Sequence, residues 1–220
     1  MFDFDKERER LVRRLEREGI LKTSEVVRAF LKVPRELFVW PGMEDQAYWD
    51  TPLPLGDTGQ TISAPHMVAI MLEELKVKPN MKVLEIGAGS GYNAALIAEL
   101  VGPKGEVITI ERVQELVEFA KKNIERAGYA SIVKVIHGDG TLGYPPKSTE
   151  AIYDRIIVTA AAPRVPKYLL LQLKEEGILL APVGPPGYQE LTRITKRGGQ
   201  LHEERLGGCV FVPLIGEDGY

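Results

Sequence analysis

Two stretches of the chain carry residue types and spacings suited to chemistry: Gly59-Gln60-Thr61-Ile62-Ser63-Ala64-Pro65-His66-Met67, and Val83-Leu84-Glu85-Ile86-Gly87-Ala88-Gly89-Ser90-Gly91-Tyr92. In the second, a short apolar strand breaks into glycines at 87, 89 and 91, and the alanine-rich helix former Ala94 to Ala98 follows. Glycine admits φ > 0 and lets a ligand approach the backbone with no Cβ in the way. A first strand-to-helix turn of this kind lies at the carboxyl edge of a parallel sheet, where nucleotide ligands bind. A dinucleotide fingerprint places its third glycine where Tyr92 stands; here that glycine comes one residue early, at Gly91, which disfavours an NAD-dependent oxidoreductase.

Other chemistry-bearing residues follow in order. Glu111 closes the second strand, twenty residues after Gly91, and faces the crevice of the glycine turn, where it can accept from a ribose diol. Asp139 stands between Gly138 and Gly140 after the third strand, either to accept from an adenine amino group or to make an ordinary Asp-Gly turn. If Pro65 is the first helical residue, the cap position falls on Ala64 and Ser63 is free for other work. The alternative makes Ser63 the cap, and spacing leaves both open. Thr159 to Pro163 offers no amide or carboxylate to an amine acceptor. Cys209 is the single cysteine and reads as a small buried hydrophobe. His66, His137 and His202 show no metal-ligand spacing, so no metal is expected.

These residues need elements to hold them. Asp5 to Glu18 reads as a charged helix, and a second starts at Thr23 or Ser24 and stops before Pro34. From Pro34 to Ala64 prolines, glycines and aromatics alternate without period, which reads as an ordered lid or substrate wall, or as an accessory core under the N-terminal helices; the two are compatible. From Pro65 helices and strands alternate: a helix, strand 82–86, helix 91–101, strand 106–110, helix 114–127, strand 132–136, strand 153–158, helix 166–173 and strand 177–183. A hairpin over 190–196 and 200–212 ends the chain. This predicts an α/β fold: a doubly wound, mostly parallel sheet with helices on both faces and an antiparallel C-terminal hairpin. We read residues 1–64 as N-terminal helices and substrate loop packed on a main domain over 65–220, the whole forming one compact unit.

With 220 residues, 44% hydrophobic and 27% charged, the composition is that of a globular protein able to bury a core. No apolar run approaches a membrane span, and the start MFDFDKERER is charged where a signal peptide would be apolar, so the expected location is the cytoplasm. The 28 Lys and Arg against 31 Asp and Glu leave a formal charge of -3 and no basic stripe, so no nucleic-acid partner is expected.

The form E-x-G-x-G-x-G over Glu85 to Gly91 resembles motif I of the class I S-adenosylmethionine-dependent methyltransferases. Together with GQTIS-x-PHM, the strand ending in Glu111 and GDG, it resembles the protein-L-isoaspartate (D-aspartate) O-methyltransferases over essentially the whole chain. That resemblance implies methyl transfer from S-adenosylmethionine, leaving S-adenosylhomocysteine, to the free α-carboxylate of L-isoaspartyl residues in aged proteins and peptides. A D-aspartyl substrate is a second possibility. It implies Ser63 as the catalytic residue, with Gln60, Thr61, Ile62, Ser63 and His66 against substrate; Thr61 is read as catalytic beside it because its hydroxyl, like that of Ser63, can orient a carboxylate without adding a repelling charge. It implies Glu85, Gly87, Ala88, Gly89, Gly91, Glu111, Arg112, Gly138, Asp139 and Gly140 against cofactor, in a monomer. A methyltransferase for RNA or a small carboxylic acid is the rival enzyme, and a cofactor-binding module without turnover the non-enzyme rival. Asp218-Gly219, in a tail expected to be mobile, would be a slow self-substrate.

Overall fold

The computed structural model describes Asp3 to Tyr220; the first two residues of the charged N-terminal stretch, Met1 and Phe2, lie outside the described residues. The charged helix α1 covers Phe4–Arg17, capped by Asp3, whose carboxylate accepts from the Lys6 backbone N–H at 3.1 Å. Its acidic first turn and basic last turn both suit the helix dipole. Helix α2 follows at Ser24–Lys32. The irregular segment is ordered by two 3-10 turns, Arg35–Leu37 and Glu44–Gln46, and by a small antiparallel ribbon of β1 (Leu53–Pro54) and β2 (Thr61–Ile62). Its aromatics divide: Phe38 and Tyr48 are buried, while Trp49 is 58% exposed.

Helix α3 covers Pro65–Leu75, with Ala64 as N-cap and no side-chain cap hydrogen bond, so Ser63 does not cap this helix. Then come β3 (Lys82–Ile86), α4 (Tyr92–Val101), β4 (Glu106–Glu111), α5 (Gln114–Arg126), β5 (Val133–His137) and β6 (Tyr153–Val158). The chain finishes with α6 (Lys167–Gln172), β7 (Leu173–Val183), β8 (Gln189–Arg197) and β9 (Gln200–Cys209). The seven-stranded sheet has the order β5-β4-β3-β6-β7-β8-β9. Strands β5, β4, β3, β6 and β7 are parallel, and β8 and β9 form the antiparallel edge. Among the described residues no helix is long and apolar enough to cross a membrane.

Strand alternation decides what faces where. Val83 and Val107 point into the core shared with α1 to α5 and the Phe38 to Ile62 segment. Leu84, Ile86, Ile108 and Ile110 point to the opposite core, with Leu169 of α6 and Leu214. A two-residue period therefore puts Glu85 on the same face as Val83, beneath α4. Each fully buried leucine or isoleucine here contributes on the order of 2 kcal/mol of transfer free energy.

Candidate functional site

The strand order reverses at β3, with β4 on one side and β6 on the other, which opens a crevice at the carboxyl ends of these strands. A cleft occupies it. Its floor is Ile86, Gly87, Ala88 and Gly89 after β3, Ile110, Glu111 and Arg112 at the end of β4, and Gly138 and Gly140 after β5. Gln60, Thr61, Ile62 and Ser63 form one wall, with Thr159 and Ala160 opposite.

The glycine turn is held on three sides. Gly87 and Ala88 donate their N–H groups to Ile110 O at 2.8 and 3.2 Å, and Asn123 of α5 donates to Ser90 O at 3.0 Å. The Thr159 hydroxyl lies 2.7 Å from Gly87 O and 2.9 Å from Ile86 O. Gly87 adopts φ 93° and Gly91 φ 88°. At Gly91 a Cβ would lie 3.1 Å from Ile124 Cγ1, so this glycine seats α4 against α5 and does not line the cleft.

Glu111 accepts from Gly89 N and Val113 N, both at 3.0 Å, which uses two of about four acceptor positions on its carboxylate and leaves the others to the cleft. Glu85 does not line the cleft. It is completely buried, accepting from Asn93 Nδ2 at 2.7 Å and Thr109 Oγ1 at 2.5 Å. Burial pushes its carboxyl up to about 7, against the lowering effect of those two hydrogen bonds and with the charge of Glu111 adding to the rise. Its place on the α4 face means that it acts on the cleft through Asn93, which does line it and whose buried Oδ1 has no partner.

Asp139 is absent from the lining, though its glycine neighbours are present. Its Oδ1 accepts from Thr141 N at 2.9 Å and Thr141 Oγ1 at 2.7 Å, and its Oδ2 from Glu217 N at 2.8 Å. The tail expected to be mobile is pinned instead. Asp218 N donates to Thr141 Oγ1 at 3.1 Å, and the Asp218 carboxylate accepts from Lys167 N at 2.8 Å and from Arg164 at 2.5 Å. These contacts oppose the backbone attack that isomerisation at Asp218-Gly219 requires. Asp139→Ala is expected to lower stability by about 2 kcal/mol through loss of its hydrogen bonds to Thr141 and of the Glu217 anchor. Denaturant unfolding measures that loss, and faster amide exchange over residues 211–220 locates it.

His66 also lies outside the cleft lining, because its backbone N–H and Nδ1 both meet Asp50 Oδ1 at 2.9 Å and turn the ring toward α1, where Arg14 contacts Asp50 Oδ2 at 3.1 Å. Cys209 is buried, and burial pushes its thiol up to about 11. Among the described residues no group of three or more His, Cys, Asp or Glu is placed to hold a metal ion.

Sequence reasoning missed three contributors. Thr159 sits at the carboxyl end of β6, a position the crevice rule could have flagged. Asn93 follows Tyr92 on the inner face of α4. The third is Phe211 to Ile215: the strand expected to run to Val212 ends at Cys209, and the chain beyond it lines the cleft as a strap. Gln189 Oε1 accepts from Phe211 N at 2.8 Å, and Ala161 exchanges backbone hydrogen bonds with Val212 and Leu214 at 2.7 Å each.

Glycine cradle, acidic strand end and apolar slot fit an adenosyl amino acid, and the topology is that of a class I S-adenosylmethionine-dependent methyltransferase. A Plasmodium falciparum protein described as a protein-L-isoaspartate O-methyltransferase, solved with S-adenosyl-L-homocysteine, superposes with a TM-score of 0.83 at 32% identity, over 93% of this chain and 96% of that one. Residues 6–219 match the sequence profile of the protein-L-isoaspartate(D-aspartate) O-methyltransferases (PCMT), and the chain belongs to that family. The protein-L-isoaspartate O-methyltransferase of Methanopyrus kandleri is 56% identical over 218 residues, covering 99% of this chain and 95% of the relative. That of Thermococcus sibiricus is 58% identical over 214 residues, covering 96% and 94%.

Proposed function

We propose that the cleft brings S-adenosylmethionine and the free α-carboxylate of an L-isoaspartyl residue together for methyl transfer, with the β-carboxylate of D-aspartyl residues as a second acceptor. The observation that carries this reading is that Gln60 to Ser63 and the Gly87 to Gly89 turn line one cleft from adjoining sides. Gly87, Ala88, Gly89 and Asn93 would hold the amino-acid end of the cofactor, Glu111 a ribose diol, and Gly138 and Gly140 the edge of the base. S-adenosylmethionine, when bound, supplies a methyl group activated on a sulfonium.

What the chain itself does is position. A carboxylate with a pKa near 4 is ionised at neutral pH and needs no strong general base. Thr61, exposed on β2, and half-buried Ser63 present hydroxyls that donate to that carboxylate without adding a repelling charge. Orientation and exclusion of water by the ribbon and the strap supply the remaining acceleration, on the order of several kcal/mol. In the product, the following backbone nitrogen attacks the ester carbonyl and methanol leaves. The resulting succinimide hydrolyses in part to normal aspartate, which is repair.

Residues 1–64 are read as the substrate-facing extension of the methyltransferase unit over 65–220, and the protein as a cytoplasmic monomer acting on proteins and peptides. The formal charge of -3 and the lack of a basic stripe support this over a nucleic-acid or membrane partner. Ser63→Ala and Thr61→Val are each expected to lower kcat/KM for an isoaspartyl peptide by about tenfold, the loss of one hydrogen bond to a charged group. Adenosylhomocysteine affinity should stay unchanged. Steady-state kinetics with calorimetry checks both, and unchanged kcat/KM in the double variant would remove these residues from the site.

A further inference from the structure

Arg35 is completely buried and, by volume, heads the fully buried side chains. Its Nε donates to Ala47 O at 2.7 Å and its Nη2 to Ser63 O at 2.9 Å. The guanidinium carbon lies 4.9 Å from the centroid of the Tyr92 ring, the first residue of α4 after the glycine turn. Its Nη1 is buried with no hydrogen-bond partner, and Arg35 takes part in none of the ion pairs among the described residues. The acids of this region are already engaged: Glu36 with Arg8 and Tyr48, and Asp50 with Arg14 and His66. A buried cation without its own counter-charge is strongly unfavourable unless something offsets it. Two carbonyls, the Tyr92 side chain and the charge of Asp50, which Arg35 shares with Arg14 and His66, offset only part of it.

We propose that Arg35 is a positioning and specificity residue, whose charge, held behind the Ser63 peptide, is complemented by the substrate carboxylate docking in front of it. The proposal rests on the reading that Thr61 and Ser63 receive that carboxylate. In this arrangement the guanidinium fork locks three pieces in register: the loop at Ala47, the hydroxyl-bearing strand end at Ser63, and Tyr92 at the head of the cofactor-side helix. The guanidinium is completely buried, so its field on an anion in the cleft is screened less than that of a surface charge. It also discriminates, because an ionised acid gains from the buried charge and a neutral amide of the same shape does not. Lysine would keep the charge and lose the fork, and methionine would keep length and lose both.

The test uses the full chain saturated with adenosylhomocysteine, so that no turnover occurs. Calorimetry compares an isoaspartyl peptide with the same peptide carrying a primary amide in place of the free α-carboxylate. Wild-type protein should prefer the acid by about tenfold or more. Arg35→Met should bring the two peptides to within about threefold of one another, while Arg35→Lys keeps a preference, and adenosylhomocysteine affinity should be unchanged in both. Arg35→Met weakening both peptides by one factor, with their ratio unchanged, would reduce Arg35 to a structural bolt and overturn the proposal. Wild-type protein without preference overturns it too, with no variant required, should Arg35→Met not fold. Methylation of the isoaspartyl peptide by that same protein would leave the underlying reading standing, whereas wild type that neither binds nor methylates the peptide removes both.

Discussion

Gly87→Val is expected to abolish measurable adenosylhomocysteine binding, and Gly87→Ala to weaken it by about a hundredfold, near 3 kcal/mol. Gly87 has φ 93°, a region that costs alanine about 1–2 kcal/mol and a β-branched residue more. Its Cβ would also lie 2.5 Å from Thr159 Oγ1, the hydroxyl that pins Gly87 O. Relief must move either the turn or Thr159, and both line the cleft. Gly128→Ala is the matched control, at φ 85° with no atom within 4 Å of the added carbon. It shares the strain without the collision, so it should lose about 1 kcal/mol of stability and no affinity. Calorimetric titration beside thermal melts separates the effects. Wild-type affinity in Gly87→Ala would show that the turn does not contact the cofactor.

The second large effect concerns Glu85, whose carboxyl burial pushes up to about 7. Because the folded value lies above the unfolded 4.5, the folded protein holds a proton that the unfolded chain releases. The stability this group contributes is therefore fully present below about pH 4.5, declines as pH rises through 7, and is gone above it. Glutamine stays neutral throughout. Its oxygen can accept from Asn93 Nδ2, and its amide can donate to a Thr109 hydroxyl that turns to accept. Glu85→Gln should thus exceed wild type in stability at pH 8 by up to about 3 kcal/mol, raising Tm by about 5–10 °C. The advantage should vanish near pH 4.5. Melting curves of both proteins across that range decide it, and a difference independent of pH would contradict the assignment.

How much of this was legible beforehand varies with the physics involved. Strands β3, β4 and β6 and helices α4 and α5 follow from apolar periodicity and glycine stops, and their observed ends differ from expectation by a residue or so. The glycine turn and Glu111 were legible because a ligand-approach turn needs small residues at fixed places. Glu85 was placed against cofactor, and strand alternation instead turns it under α4. Ser63 was ambiguous until α3 was seen to start at Pro65. Asp139, His66 and the tail are held by contacts that the sequence did not announce, for a common reason. Each is fixed by a partner distant in sequence, Glu217, Asp50 and Thr141 respectively, and no local pattern announces such contacts. Arg35, between an ordinary proline and a glutamate, carries no local signal of being buried.

Carboxyl methylation selective for the isoaspartyl linkage is the activity proposed for this cleft. It is tested most directly by methyl transfer from labelled S-adenosylmethionine to two synthetic peptides, identical except that one carries L-isoaspartate and the other L-aspartate. Base-labile label is expected on the isoaspartyl peptide alone. Equal label on both peptides, or label on neither while adenosylhomocysteine still binds, would contradict it and leave a methyltransferase fold whose acceptor lies elsewhere.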